Sequence, residues 1–376
     1  ILCSDWSSDV CSSDLGIFAP YYLSANKHGL VTHSKSGYLR ASVFKGLEMN
    51  KRFSYEFGID LVGLMSSTSP VSYYSDGNLK TYNPGVSSFL IQQAYIGMKY
   101  RMIFISAGCR ELTDEVVNFE LSSGGLVWSG NARPIPQVRA GFIDFVDIPF
   151  TKGWVQIKGE LAYGKFMDND FLRDHYNYYN QYITTDALYH HKSISFRSNP
   201  DKPFVVTIGA ELAAQFGGTK RYYEKGILID SLTMKSPTRL KDFFKILFPS
   251  SGDGQTNEGD QAYYYGNHVG QWNLSAEYRF KDNSSVRGYF EWYYDDASGM
   301  GKFNGWDGLW GLEYKSGKKN WLSNVVLEYL DMTNQSGPLN WCPSDYNEPK
   351  LDIEATGADD YYNNYFYNGW AHYGLS

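Results

Sequence analysis

The stretch NLSAEYRF, residues 273–280, alternates by parity. Leu274, Ala276, Tyr278 and Phe280 fall on one side of an extended chain, and Asn273, Ser275, Glu277 and Arg279 on the other. The pattern predicts a half-covered β-strand whose apolar side meets either a protein core or lipid tails. That choice decides the function, and it turns on how the strands are connected and where their aromatic residues lie.

Period-2 runs recur near 38–48, 52–64, 89–100, 103–110, 137–145, 154–164, 189–197, 204–214, 271–280, 285–294, 309–315 and 321–330, with a thirteenth near 363–373. Their connections alternate in length. NKR (50–52), SNPDKP (198–203), KDNS (281–284) and SGKKN (316–320) are short and rich in turn residues. The stretches 65–88, 111–136, 165–188, 215–270, 295–308 and 331–362 are long and polar, and antiparallel pairing sends all of them to one end. Loops longer than about 12–15 residues are uncommon in compact soluble domains. Outer-membrane barrels combine short turns on one side with long loops on the other.

The strand faces agree. FSYEFGIDL (53–61) sets Phe53, Tyr55, Phe57, Ile59 and Leu61 against Glu56 and Asp60, and VQIKGELAY (155–163) sets Val155, Ile157, Leu161 and Tyr163 against Gln156, Lys158 and Glu160. In SVRGYFEWYY (285–294), Val286, Phe290, Trp292 and Tyr294 oppose Arg287, Glu291 and Tyr293. Charge stays off the apolar parity, as expected where an Arg or Lys facing lipid costs about 2–4 kcal/mol. Trp154 and Tyr163, Trp272 and Phe280, and Trp321 and Tyr329 lie near opposite ends of their strands, the spacing of two interfacial girdles. A sandwich would gather that bulk at mid-strand. The expectation is an all-β, antiparallel transmembrane β-barrel. SPTRLKDFFKILF (236–248) adds one short helix near 238–248, either a surface helix packing its stripe on the loop or a plug or lid over the pore.

Aromatic residues make up 17% of the chain, with 32 Tyr and 10 Trp, a β composition. DWSSDVCSSDL (5–15) resembles the translation of a sequencing adapter, so residues 1–15 are set aside as non-native and 16–376 are taken as a single partial barrel domain. Losing Asp5, Asp9 and Asp14 moves the formal charge from −7 to −4. This mild acidity lacks the basic footprint of a nucleic-acid binder, and no run approaches the roughly 18 apolar residues of a membrane helix. Cys109 and Cys342 form neither a disulfide framework nor a CxxC pattern. No secretion signal precedes the first strand, and a leader is expected upstream in a longer gene.

Glu56, Glu160, Glu211, Glu277, Glu291, Glu313 and Glu328 recur on the polar parity and would point inward, balanced by Arg279, Arg287 and Lys315. Paired carboxylates hydrolyse glycosides, but carboxylates spread over many strands without an assembling motif predict a charge-balanced lining and no enzyme. His190 and His191 are neighbours on a strand and point to opposite faces, so they do not share a metal. SGDGQTNEGDQ (251–261) lacks the ligand spacing of a calcium loop. No cofactor is expected. The loops carry sugar-binding chemistry, flat aromatic rings beside amides and carboxylates, above all DHYNYYNQY (174–182) with Tyr176, Tyr178 and Tyr179. Plain loop packing would use the same residues.

LVWSGNARPIPQVRAGFIDFVDIPFTKGWVQIKGELAYGKF (126–166) resembles the capsule assembly Wzi family of outer-membrane proteins, in particular its Bacteroidetes branch. The likeness continues through ELAAQFGGT (211–219), LKDFFKILFPSSGDG (240–254), GNHVGQWN (266–273), VVLEYL (325–330), NQSGP (334–338) and NGWAHYG (368–374). It implies a barrel of about eighteen strands with a blocked lumen, of which about 12–13 strands are present here. It also implies a monomeric, non-enzymatic, lectin-like anchor at the bacterial cell surface. Its partners would be capsular or extracellular polysaccharide and outer-membrane lipid, with no nucleic acid. Trp128, Asn131 and Arg133, in the most specific run, are candidate glycan-binding residues, or else they pin a loop. The alternative function is a porin-like channel for oligosaccharides or small solutes.

Overall fold

The computed structural model describes residues 25–31, 36–66, 71–75, 77–82, 89–167, 172–173, 177–178, 181–257, 260–261, 264–294, 305–318, 321–333, 362, 364–367, 369–370 and 372–373. The adapter-like segment and Cys342 lie outside them.

The strands are β1 (Ser36–Lys45), β2 (Phe53–Ser66), β3 (Val71–Ser75), β4 (Asn78–Tyr82), β5 (Phe89–Tyr100), β6 (Ile103–Cys109), β7 (Gln137–Phe142), β8 (Val146–Asp147) and β9 (Val155–Lys165). They continue as β10 (Gln181–Ser198), β11 (Phe204–Glu224), β12 (Ile227–Leu228), β13 (Met234–Lys235), β14 (Asn267–Arg279), β15 (Ser285–Tyr294), β16 (Gly308–Lys315) and β17 (Asn324–Asp331). The helix α1 (Leu240–Leu247) follows β13. The wall runs β1-β2-β5-β6-β7-β9-β10-β11-β14-β15-β16-β17, antiparallel at each step. Among the described residues β1 and β17 each pair on one side only. The all-β, antiparallel barrel wall is as the sequence predicts, and its twelve wall strands coincide with the first twelve period-2 runs.

The sheet is curled with its polar face inward. Glu111 pairs with Arg40 on β1, while Asn118 donates to Glu313 on β16. Those strands are ten spacings apart along the wall, about 48 Å if the sheet were flat, whereas seven residues of backbone reach only about 25 Å. Curling brings both ends toward the same short segment.

Burial is inverted relative to a water-soluble domain. Glu56 is 4% exposed, Asp60 2% and Glu291 0%, while Leu39 is 80%, Ile96 67% and Leu327 69% exposed. Along β2, Ser54, Glu56 and Asp60 are covered, and Phe53, Tyr55, Phe57 and Ile59 are open. Buried polar groups opposite an open apolar surface this extensive call for a nonaqueous surrounding. The girdles are present on the open face. At the turn end stand Trp154, Phe204, Tyr278, Phe280, Tyr314 and Trp321. At the loop end Trp292 stacks on Trp306 at 5.0 Å and Phe290 on Trp310 at 3.8 Å, with Tyr329 across from Trp310. From Trp321, three residues before β17, to Tyr329 an extended chain spans about 27 Å, or about 20 Å once tilted by about 40°, close to the apolar band of an outer-membrane barrel.

Three expectations change. Part of the stretches read as loops 165–188 and 215–270 is strand, since β10 and β11 pair from Gln181↔Tyr223 down to Arg197↔Thr207. The pairing breaks step where Asp186 (φ 60°) faces Gly217 and Gly218 (φ 68° and 77°), backbone conformations suited to glycine. The loop 65–88 contains the β3–β4 hairpin. Among the described residues near 363–373 the expected thirteenth strand is absent: they are turns, bends and a single bridge residue, His372, with Gly369 and Tyr373 at positive φ, and they pack into the interior. Alternating aromatics arise there because the rings pack inward against several strands, not because a ladder spaces them.

Candidate functional site

The concave face is the candidate site, and the segment 110–136 between β6 and β7 crosses it. That segment is rich in Gly and Ser, so its amides are free to meet inward side chains wherever the backbone turns. Leu126 N–H donates to Glu291 at 2.9 Å and Val127 N–H to Gln271 at 3.2 Å. Ser122 and Ser123 bond Glu328 at 2.6 and 3.1 Å, Asn118 bonds Glu313 at 2.7 Å, and Lys158 pairs with Glu115. Gly125 sits where a Cβ would meet Asp114 Oδ2 at 2.5 Å and Glu291 Oε1 at 3.1 Å, so two carboxylates converge on a residue without a side chain.

Beneath it runs a polar chain along the wall. Arg139 pairs with Glu160, whose other oxygen lies 3.5 Å from His191 Nδ1. His191 Nε2 lies 3.1 Å from Glu211, and Glu211 accepts from Gln271 at 2.6 Å. Arg287 holds Glu313 with two hydrogen bonds of 2.9 and 2.6 Å. The inward carboxylates therefore point where the parity predicts, and they are engaged with cations, amides and the crossing segment. His190 faces outward against Tyr163 at 4.5 Å, opposite to His191, as neighbours on a strand must. In the loop 251–261, Asp253 pairs with Arg239 and Lys241, and Asp260 with Lys220. Among the described residues no group of three or more His, Cys, Asp or Glu is placed to hold a metal ion.

The described residues after 361 add to the filling. Tyr362 donates to Leu126 O at 2.9 Å, Gln215 donates to Gly369 O at 3.0 Å, and His372 Nδ1 accepts from Met167 N–H at 3.0 Å. Thr184 bonds Phe366 O, and Lys220 lies over the rings of Phe366 and Tyr367 at 4.7 and 4.6 Å. Phe166, Tyr189, Ala213, Val269, Tyr293 and Tyr367 form the apolar centre of this packing, joined by Trp128 and Trp370. Burial pushes the His372 imidazole down to about 4, so it is neutral while accepting that bond.

The candidate glycan residues are divided by the fold. Trp128 lies edge-on to His191 at 5.8 Å and donates Nε1–H to Leu112 O at 3.3 Å. Asn131 accepts from Asn26 N–H at 3.0 Å. Arg133 donates to Ile91 O at 3.1 Å and covers the Tyr373 ring at 4.4 Å. Arg133 and the Trp128 ring tie the crossing segment to the wall, and Asn131 ties it to the residues that precede β1. Tyr178 stands elsewhere, exposed beside the β11–β12 turn, with its carbonyl accepting from Lys225 N–H at 3.1 Å. Tyr176 and Tyr179 lie outside the described residues. Cys109 is a half-buried free thiol at the end of β6.

Sequence reading passed over two cavities on the concave side. One of about 280 Å³ is lined by Arg40, Ser42, Asp60, Gln93 and Tyr95, a cation, acceptors, an amide and a ring. The other, about 440 Å³, lies between Ala25–Lys27 and Phe119–Ser123. The signal for the first was present as inward parity on β1, β2 and β5; its depth depends on curling, which no single strand encodes.

No family model matches this chain, and no curated protein matches it. Among solved structures it is similar to a mutant porin of Rh. blastica at 11% identity and a TM-score of 0.28, covering 78% of this chain and 88% of that one. A triple mutant of the Rhodopseudomonas blastica porin matches at 10% identity and the same TM-score and coverage. A likeness that distant carries no argument.

Proposed function

We propose that this chain is the wall of an outer-membrane β-barrel of the capsule assembly Wzi kind, a non-enzymatic, monomeric surface anchor for capsular or other extracellular polysaccharide. The observation that carries the reading is the pairing of an open apolar face with a concave polar face whose carboxylates are engaged by the chain's own segment 110–136, against which Tyr362 packs in turn. A filled interior suits retention at the mouth better than passage through it. Sugar contact then falls to the loop end and to the cavity of Arg40, Asp60, Gln93 and Tyr95, where a ring face and hydrogen-bonding groups meet.

The test is genetic and biochemical. Deleting the full-length gene is expected to lower cell-bound capsule and raise shed polysaccharide, and the purified protein is expected to retain that polysaccharide on a column. Normal cell-bound capsule after deletion would end this reading. The second reading, a channel for oligosaccharides or small solutes, draws on the charged lining. Bilayer conductance separates the two, because a filled interior is nearly silent and an open pore is not.

A further inference from the structure

Helix α1 packs on the outer face of the wall, neither plugging the lumen nor lying over its mouth. Asp242 and Ile246 are its covered residues. The Tyr163 hydroxyl donates to Phe243 O at 3.0 Å, and the Phe243 ring meets Tyr163 and Phe216, each at 5.2 Å. Tyr163, Leu188, Ala214 and Phe216 belong to the outward parity of β9, β10 and β11, and Tyr163 is the loop-end girdle residue of β9. The helix therefore lies against the outer wall at the height of one aromatic belt.

Its other side is apolar and open. Leu240 is 76% exposed, Phe244 56% and Phe248 70%, a line at four-residue steps. Lys245 occupies the next row round the helix, beside Lys241, whose ammonium is held by Asp253 at 2.8 Å. A helix with apolar residues on its free side and lysines at the margin has the make-up of one lying in a membrane interface, where lysine stems follow the apolar surface and the ammonium groups reach the headgroups. The strand face on either side of it is also open and apolar, so the surface is continuous.

We propose that α1 is an in-plane membrane helix that seats Leu240, Phe244 and Phe248 among the lipids of the outer leaflet, at the boundary of headgroups and acyl chains. The occupant of this surface is lipid. The inference rests on the reading of the outer face as lipid-facing, and it adds that the excursion between β13 and β14 folds down along the wall and widens the membrane contact on one side of the barrel.

The experiment uses the full chain with its native cysteines replaced by serine, reconstituted into phosphatidylcholine vesicles. A small environment-sensitive fluorophore is placed at Phe244→Cys, at Leu240→Cys as a second position, and at Leu327→Cys on the strand face. Lipids carrying a nitroxide high or deep on the acyl chain serve as quenchers, with iodide in the water. Expected are several-fold stronger quenching of the 244 and 240 labels by the shallow nitroxide than by the deep one, and deep quenching at 327. Quenching at 327 with none at 244 and 240 overturns this proposal and leaves the barrel reading intact. Labels at 244 and 240 shielded from both lipid and iodide would mean a second protein surface covers the helix, which also overturns it. Loss of lipid quenching at all three positions overturns both readings.

Discussion

The Tyr289 hydroxyl donates to Glu328 at 2.6 Å across the width of an intervening strand. Tyr289, Gly311 and Glu328 are register partners on β15, β16 and β17, and the phenol ring occupies the space a Cβ on Gly311 would take. Glu328 in turn holds Ser122 and Ser123, so wall and filling are joined through one carboxylate. Gly311→Val displaces the ring and breaks that link. Tyr289→Phe keeps the ring and removes only a bond to a charged acceptor, worth about 1.5–3 kcal/mol. Equilibrium unfolding is expected to rank Gly311→Val below Tyr289→Phe, and both below the parent. A Gly311→Val variant as stable as the parent would show the ring is not held there.

The exposed strand face makes a second prediction. Leu327 lies near the middle of β17, outward and 69% exposed. In water an arginine at such a site is nearly neutral, whereas in a bilayer it costs about 2–4 kcal/mol near the midplane. Leu327→Arg is expected to lose that amount in vesicle unfolding titrations. A cost under about 1 kcal/mol would place the apolar parity out of contact with acyl chains.

Much of this wall was legible from parity. The run 285–294 matches β15 at both ends, because Val286, Phe290, Trp292 and Tyr294 on one parity oppose Arg287 and Glu291 on the other. Glu291 falls on the inward parity, and His190 and His191 on opposite faces, on the same ground. The upper halves of β10 and β11 were not legible: Thr184, Thr185, Gly217 and Thr219 pair beyond the apolar band, where neither face needs to be greasy. Nor was the placing of residues 110–136, whose partners Gln271, Glu291, Glu313 and Glu328 are over a hundred residues away in sequence. The period of α1 gave a helix, while its docking face depended on Phe216 and Tyr163 in distant strands.

Lys192 looks like a breach of the rule that keeps charge off the apolar parity, since it shares that parity with Leu161 and Leu212. Its ammonium donates to Leu247 O and, at 3.3 Å, to Ile246 O, the free carbonyls at the C-terminal end of α1. The cation is thus matched to the negative end of the helix, an arrangement worth about 0.3–2 kcal/mol. Lys192→Met is expected to loosen α1 without disturbing the wall. Hydrogen exchange should quicken at the amides of 243–248 and stay unchanged in β9 and β14. Uniform acceleration across all three would instead assign Lys192 to the stability of the sheet.

Asp114 gives the filling a dependence on pH. Its carboxyl accepts from Val116 N–H at 2.5 Å and Val117 N–H at 3.1 Å. Burial raises it most, the Glu211 charge adds to this, and the two amides only partly offset them, so it titrates at about 7 instead of the usual 3.8. A carboxyl raised on folding binds its proton more tightly in the packed state. Packing is therefore favoured below about 4 and weakens as pH rises through about 7. The crossing segment should be hardest to cleave in mild acid and become more susceptible to protease toward pH 8. Asp114→Asn, which cannot ionise, should flatten that profile while Glu115→Gln leaves it in place. A parent protein cleaved equally fast at pH 5 and pH 8 would remove Asp114 as the titrating group.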